Sequence, residues 1–379
     1  MLAALSLLIS LASLLLGDSN EIDITFVGDA MQHQMQIDAA LNAGGGIYYD
    51  YSECFDAIEP IIKASDYAVV NLECPLGGKN YSGYPAFSAP DSYAEQLHKV
   101  GFDLALTANN HILDRGDVGL SRTISVLDSI GFAHVGTYCD PQKRDSLAST
   151  LIDIKGFKVA FLNYTYSTNG IQCPKTVAVD YLDLKKIKRD ISSAREKGAE
   201  IVIVCPHWGE EYHLSPSKTQ IAMADSILTY GADIVMGSHP HVVQPMELTG
   251  DSLSKKLIVY SLGNFISNMR TSDTCGGALC TVKIRRDNHG KPYVADATYR
   301  LLITLLPGTA TKGNFKVVPV ENLIYDSRNQ SRRDSFVKNA EDVFRRHNKN
   351  VSRDNFPLSD YNKKALTKRI QTLINRIDD

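Results

Sequence analysis

The sequence predicts a layered α/β fold with much parallel sheet. Three observations lead there. Short apolar, β-rich runs alternate with segments of helical length and period from Ile22 to about Ser267. Glycines close several of the helical segments, as at Gly131. Residues of ligand type recur just beyond the apolar runs, where α/β sheets collect their ligands.

Taken in order, "IDITFVG" from Ile22 to Gly28 reads as a buried strand, followed by the Gly-rich break "AGGGIYYD". Cys54 to Ala64 reads as a helix, "DYAVVNL" as a second strand and "GFDLALTAN" as a third. "GDVGLSRTISVLDSIG" is a helix and "FAHVGT" a short strand. "STLIDIKGFKVAFLNYTY" gives two strands joined at Lys155-Gly156. "DLKKIKRDISSAREKGAE" is an amphipathic helix, "EIVIVCPHWG" a buried strand, "SKTQIAMADSILTYGA" a helix, and "DIVMGSH" and "KKLIVYSLGNF" strands. After Thr274 the pattern becomes β segments with turns, "GGALCTVKIRR", "PYVADATYRLLITLL" and "NFKVVPV". From Ser327 it is charged and helical, with mixed signs that suit a solvated face. The expected division is a leader over 1–17, a main domain over 18–270, a β-rich extension of it over 271–326 and a helical region over 327–379.

Composition narrows the function classes. Of 379 residues, 44% are hydrophobic and 22% charged, ordinary for a folded soluble protein. A net charge of -3, without an Arg-rich block or aromatic-basic interleaving, argues against nucleic acid and anionic membrane surfaces as partners. The run from Leu2 to Leu16, closed by Gly17, has the length of a signal-peptide apolar region and falls short of a membrane span of ~20 residues. No Lys or Arg precedes it; the first basic residue is Lys63. The reading is an exported protein with a mature start near Asp18. Seven cysteines without a C-x-x-C pair indicate neither a zinc knuckle nor a redox motif, and Cys275 and Cys280 are placed to meet across a turn at "CGGALC".

The chemistry gathers at strand ends. Past the first strand stands Asp29; past the second, Asn71 and Glu73; past the third, Asn109, Asn110, His111 and Asp114. Later ends carry His207 and Glu211, then His239 and His241, then Asn264. One such residue alone is ordinarily a helix cap or a turn. Together they are carboxylates, amide oxygens and imidazoles, a mixture that suits Zn, Mn or Fe rather than a thiolate site. In "GSHPH", extended backbone would point both imidazoles the same way, with Pro240 restraining the chain between them. There is no G-x-S-x-G, no P-loop and no Cys/His pair to compete as a catalytic engine.

The segments "FVGDAM", "NLECPL", "ANNHILDRG", "PHWGEEY", "GADIVMGSHPHVVQP" and "YSLGNFI", from about Ile22 to Ser267, together resemble the CapA family of poly-γ-glutamate capsule biosynthesis proteins, which is related to the calcineurin-like metallophosphoesterases. The resemblance implies a four-layer α/β sandwich with β-rich and helical C-terminal additions. It also implies one or two divalent ions held by Asp29, Glu73, Asn110, His207, His239 and His241, with His111 as the non-ligand acid near a leaving group. Asn71, Asp114, Glu211 and Asn264 would orient those ligands. Met31 stands where the wider pattern has a histidine, which leaves the second ion position a ligand short; His33 is out of register for it. The implied role is in capsule synthesis, anchoring or export at the cell envelope, periplasm or cell surface, with an anionic polymer or phosphoester as substrate and membrane capsule-synthesis proteins as partners. Two other readings stay open: an extracytoplasmic metallophosphoesterase on small phosphoesters, and a non-enzymatic surface scaffold with a structural metal.

Overall fold

The computed structural model describes residues 20–308, 311–324 and 326–378, with side chains as far as residue 370. The apolar run over 2–16 lies outside these residues, and with it the expected leader. The strands are β1 (Glu21–Ala30), β2 (Tyr67–Leu72), β3 (Leu104–Leu106), β4 (Ala133–Val135), β5 (Thr137–Tyr138), β6 (Leu151–Ile154), β7 (Phe157–Thr165), β8 (Ala178–Val179) and β9 (Ile201–His207). They continue as β10 (Ile234–Met236), β11 (Met246–Thr249), β12 (Lys256–Val259), β13 (Asn264–Ile266), β14 (Gly276–Arg286), β15 (Pro292–Leu305), β16 (Lys316–Pro319) and β17 (Ser352–Arg353). The helices are α1 (Gln34–Ala43), α2 (Glu59–Ala64), α3 (Asp91–Val100), α4 (Gly116–Ser129), α5 (Arg144–Leu147), α6 (Leu184–Glu196), α7 (Lys218–Thr229), α8 (Ser327–His347) and α9 (Leu358–Asp378).

Two sheets carry the molecule. The first has the order β16-β15-β14-β1-β2-β3-β4, with β13 also paired to β1 and β17 to β15. Strands β1 to β4 run parallel, and β14, β15 and β16 extend the sheet antiparallel. The second has the order β11-β12-β10-β9-β7-β6, parallel in the middle and closed by antiparallel edges.

Side-chain alternation along the strands creates the layers. Ile22, Ile24 and Phe26 of β1 share one apolar cluster with Ile201, Ile203 and Cys205 of β9, between the two sheets. The alternate residues Val202 and Val204 face a separate cluster with Ile187 and Ile191 of α6 and Ile227 of α7. On the outer side of the first sheet, Val70 and Leu72 pack with Ala40 of α1, Ile61 and Ile62 of α2, and Leu97 of α3. The result is helix, sheet, sheet, helix: the four-layer α/β sandwich that the resemblance implied.

Several local expectations change. A helix, α1, stands between β1 and the Gly-rich break and ends at the break's first residue; its start is fixed by a capping box between His33 and Gln36. The helix expected over 54–64 shortens to α2, with Pro60 in its first turn. "KKLIVYSLGNF" is two strands, β12 and β13, which join different sheets. Cys275 and Cys280 do not meet across a turn. Cys275 directly precedes β14 and Cys280 lies within it, so an extended chain holds them apart, and all seven cysteines are free. The C-terminal segments build onto the main body. β14 pairs with β1 along Glu21 to Phe26, and Phe336, Ala340 and Phe344 of α8 enter the cluster between the sheets.

One buried ionic group ties the strap after β5 to the second sheet's helices. Arg144 gives its Nε to Asp180 at 2.7 Å and its Nη1 to Asp190 at 2.9 Å, and the phenols of Tyr138 and Tyr164 donate to the same two carboxylates. Removing the cation would leave buried Asp190 with only the more distant Arg189 at 3.8 Å, while Asp180 would keep Lys186 at 2.5 Å. Arg144→Met is therefore expected to lower unfolding free energy by about 3–5 kcal/mol in a denaturant titration. Combining it with Asp180→Asn and Asp190→Asn should recover part of that loss; an equal or larger loss would contradict the account.

Candidate metal centre

Parallel strands deliver their carboxyl ends to a common rim, and the sequence places ligand-type residues there. Asp29 lies one residue from the end of β1, Glu73 follows β2, and the loop from Asn109 to Asp114 follows β3. From the second sheet come His207, the last residue of β9, and His239 and His241 beyond β10. Asp29, Glu73, Asn110, His207, His239 and His241 are all buried. The structure brings the six together.

Distances define the cluster. The Nε2 of His207 lies 2.8 Å from Asn110 Oδ1 and 3.6 Å from Glu73 Oε1. The Nε2 of His241 lies 3.7 Å from the same Glu73 oxygen, and its Nδ1 is 3.0 Å from Asp29 Oδ2. The rings of His207 and His239 are 4.7 Å apart, centre to centre. Two triads, Asp29 with Glu73 and His207, and Glu73 with His239 and His241, offer donor atoms lying within 4.8 Å of one another. Both contain Glu73.

The donor atoms are incompletely satisfied by the protein. Glu73 Oε1, His239 Nδ1 and Asn71 Oδ1 are buried without a hydrogen-bond partner. Buried polar atoms are paired in nearly every native structure, so three orphans at one point call for a ligand. Electrostatics agree. Burial, and then the neighbouring Asp29 charge, push the Glu73 carboxyl well above the usual range. Burial and the adjacent imidazoles hold His207 far below its ordinary value and His239 down to about 3. Neutral imidazoles are the state a divalent ion requires of its histidine ligands, and the raised Glu73 carboxyl would give up its proton to such an ion. The residues fit the implied metal.

Around the donors, other side chains fix orientation. Asn71 donates to Asp29 Oδ1 at 2.8 Å. Asp114 holds His111 through a 2.8 Å contact to Nδ1 and also accepts from the Phe87 backbone N–H at 2.7 Å. Asn264 Oδ1 lies 3.0 Å from His241 Nδ1. Glu211 is only partly buried, meets the Tyr212 phenol, and acts electrostatically on Glu73. Asn109 shapes its loop, donating to the Leu72 carbonyl at 2.8 Å.

The two histidines of "GSHPH" reach the site by a different route from the extended backbone expected for them. His239 has φ 101° and His241 φ 59°, left-handed values for both. Such residues cost of order 1–3 kcal/mol each and persist where surrounding structure compels them. Pro240 takes part in another way: its carbonyl accepts from Tyr212 N at 2.8 Å, and Tyr212 is itself left-handed at φ 68°. Met31 is buried in the apolar cluster beneath α1 to α3, its side chain spent on packing. His33 caps α1 and stands edge-on to Phe87, which stands edge-on to His111; burial holds His33 down to about 4.

Sequence reasoning missed several contributors. Ser238, given no role in the sequence reading, places its hydroxyl 3.0 Å from His207 Nδ1. Asn169 bridges Asn110 and His111 from the loop after β7. Tyr166 lies over His239 at 4.5 Å and Tyr212 over His241 at 6.2 Å, and both are exposed on their outer sides. Ser238 stood beside the motif and was open to notice. Asn169 and Tyr166 had no signal, since only the fold brings their loop near.

Comparison with known proteins follows the same residues. Residues 23–269 match the family described as "Bacterial capsule synthesis protein PGA_cap". The capsule biosynthesis protein CapA of Bacillus anthracis is 30% identical over 279 residues, covering 71% of this chain and 65% of that protein. The PGA biosynthesis protein CapA of Bacillus subtilis is 30% identical over 281 residues, covering 71% of this chain and 70% of that protein. Among solved structures, the calcineurin-like phosphoesterase YfkN of Bacillus subtilis aligns over 85% of this chain and 97% of that one, with a TM-score of 0.46 and 15% identity.

Glu73→Gln separates fold from metal. It removes a buried carboxylate beside Asp29, so the ion-free protein should melt at a temperature equal to or above that of the native protein. Native protein should gain about 2.7 kcal/mol when Mn²⁺ is present at 100 times its Kd, and the variant should lose most of that gain. A variant that gains as much as native protein in a thermal melt would remove Glu73 from the ligand set.

Proposed function

The chain belongs to the bacterial capsule synthesis protein PGA_cap family, and from that premise we propose that it is an exported, metal-binding protein of the cell envelope that serves the making, anchoring or export of a poly-γ-glutamate capsule. The single observation that carries the metal part is the convergence of six donor side chains from five strand ends around orphaned buried atoms. The polymer part rests on the relatives. Its immediate partners are the anionic polymer and membrane-bound capsule machinery. Among the described residues no helix is long and apolar enough to cross a membrane, so any membrane step would be supplied by such partners or by residues outside those described.

A specific arrangement favours a hydrolytic second reading. His111 stands beside the donor set, with Nδ1 held by the Asp114 carboxylate at 2.8 Å and its ring wedged edge-on against Phe87. A ring fixed in this way can deliver a proton from Nε2 to a leaving oxygen. Asp29, Glu73, Asn110, His207, His239 and His241 would hold one or two divalent ions of Mn, Zn or Fe, with Asn71 and Asn264 orienting Asp29 and His241. When bound, such ions supply a water ionised near neutral pH and positive charge for the electrophile's oxygens. The chain's own part is to exclude bulk water from the buried donors, to fix the imidazole tautomers, and to present His111.

Metal-loaded protein is expected to bind fluorescently labelled poly-γ-glutamate, with binding lost in His239→Ala. The same preparations assayed on a chromogenic phosphate monoester decide the hydrolytic reading. Turnover that falls ~10²–10⁴-fold in His111→Ala, and vanishes in His239→Ala, supports a phosphoesterase. Neither binding nor turnover, with a melting temperature that falls when chelator is added, would leave a scaffold with a structural metal.

A further inference from the structure

Asn264 is the first residue of β13, and β13 runs parallel to β1 with Asn264 as the register partner of Asp29. Register partners on adjacent strands share a face, so carboxylate and carboxamide enter the site side by side. Two glycines permit this approach. Asp29 N donates to the Gly263 carbonyl at 3.0 Å, and a Cβ on Gly28 would fall 1.9 Å from that oxygen. Gly263 itself has φ 70°, which a residue with a side chain rarely adopts.

The result is a three-atom convergence. Asp29 Oδ2 and Asn264 Oδ1 each lie 3.0 Å from Nδ1 of His241, and all three residues are buried. One imidazole N–H gives one proton, and the only other donor to this pair among the described residues is the His239 backbone N–H, at a long 3.4 Å from Asp29 Oδ2, so hydrogen bonding serves the two oxygens weakly. The amide does not escape by turning over: its Nδ2 donates to the Thr274 carbonyl at 2.8 Å and contacts Met269 Sδ at 3.3 Å. A cation would satisfy the carboxylate, the amide oxygen and the imidazole nitrogen at once.

We propose that Asn264 Oδ1 is a direct metal ligand, and that with Asp29 and His241 it forms the second ion position, the one left short by Met31. The proposal rests on the metal-centre reading above. It makes the two positions chemically unlike. The first is rich in imidazole, with His207 and His239 near Glu73 and Asn110. The second has two oxygens and one nitrogen, a set that favours a hard ion such as Mn²⁺.

The test strips the native protein with chelator, reloads it with Mn²⁺, and counts ions per chain by elemental analysis, with electron paramagnetic resonance reporting whether the ions are exchange-coupled. Native protein is expected to hold two coupled ions and Asn264→Leu one uncoupled ion, with the ion-free variant melting somewhat lower because the Thr274 carbonyl loses its donor. Asn264→Asp keeps an oxygen in place and is expected to hold two ions, with Mn²⁺ binding at the second position tightened. If Asn264→Leu holds two ions with native affinity, or if native protein holds one, Asn264 is not the missing ligand and the metal centre stands without it. Native protein that binds no ion overturns the metal reading itself. Should Asn264→Leu fail to fold, Asn264→Asp decides: a residue that only orients His241 would lose its bond to Thr274 and gain no Mn²⁺ affinity.

Discussion

Two fully buried carboxylates, Asp29 and Glu73, stand close together with no Lys or Arg paired to either among the described residues. Burying one such charge without compensation costs several kcal/mol, and burying two neighbours costs more. The surrounding histidines do not offset it: burial and mutual proximity keep His207 and His239 uncharged. The rest of the site follows from this imbalance. Each further donor faces the same small volume, and the orphaned atoms of Glu73 and His239 line it.

Holding that arrangement requires rigid delivery, which the two-sheet frame supplies. Asp29 and Asn71 are register partners on β1 and β2, and Asn163 and Cys205 are partners on β7 and β9. Isolated bridges stitch the rims: His207 pairs with Ser238, and Val243 with Leu262. The loops then carry the strain, with His239, His241, Tyr212 and Asn169 all at positive φ. Tyr212, held by the Pro240 carbonyl, shows how one strained loop braces another. Such clustering of unfavourable backbone is what a site imposes on a stable scaffold.

The mouth has its own character. Tyr84, Tyr166 and Tyr212 are exposed around it, and the charges acting on Glu73, Tyr166 and Tyr212 are carboxylates, Glu211 foremost among those at the rim. A polyanion approaching this surface would meet aromatic faces and acid groups, so its attraction would depend on the cations beneath. Under the proposed function, polymer binding would therefore depend on metal loading through charge.

The sequence by itself determined the layered class, the order of most strands and the residues of ligand type at the strand ends, because two- and 3.6-residue periods and residue chemistry are local properties of the chain; the choice of six donors among them came from the family resemblance. It also marked Asp114 beside His111, three residues apart within one turn. It did not determine how "GSHPH" bends, since a left-handed backbone at His239 and His241 is imposed by the Pro240–Tyr212 contact and by β9, neither of which is local. Nor did it reveal that "YSLGNF" breaks between two sheets, or that Asn264 lands beside Asp29, 235 residues earlier in the chain. Tertiary structure alone decided those matters, because strand pairing at such a separation depends on which sheet edges are left open once the core has closed.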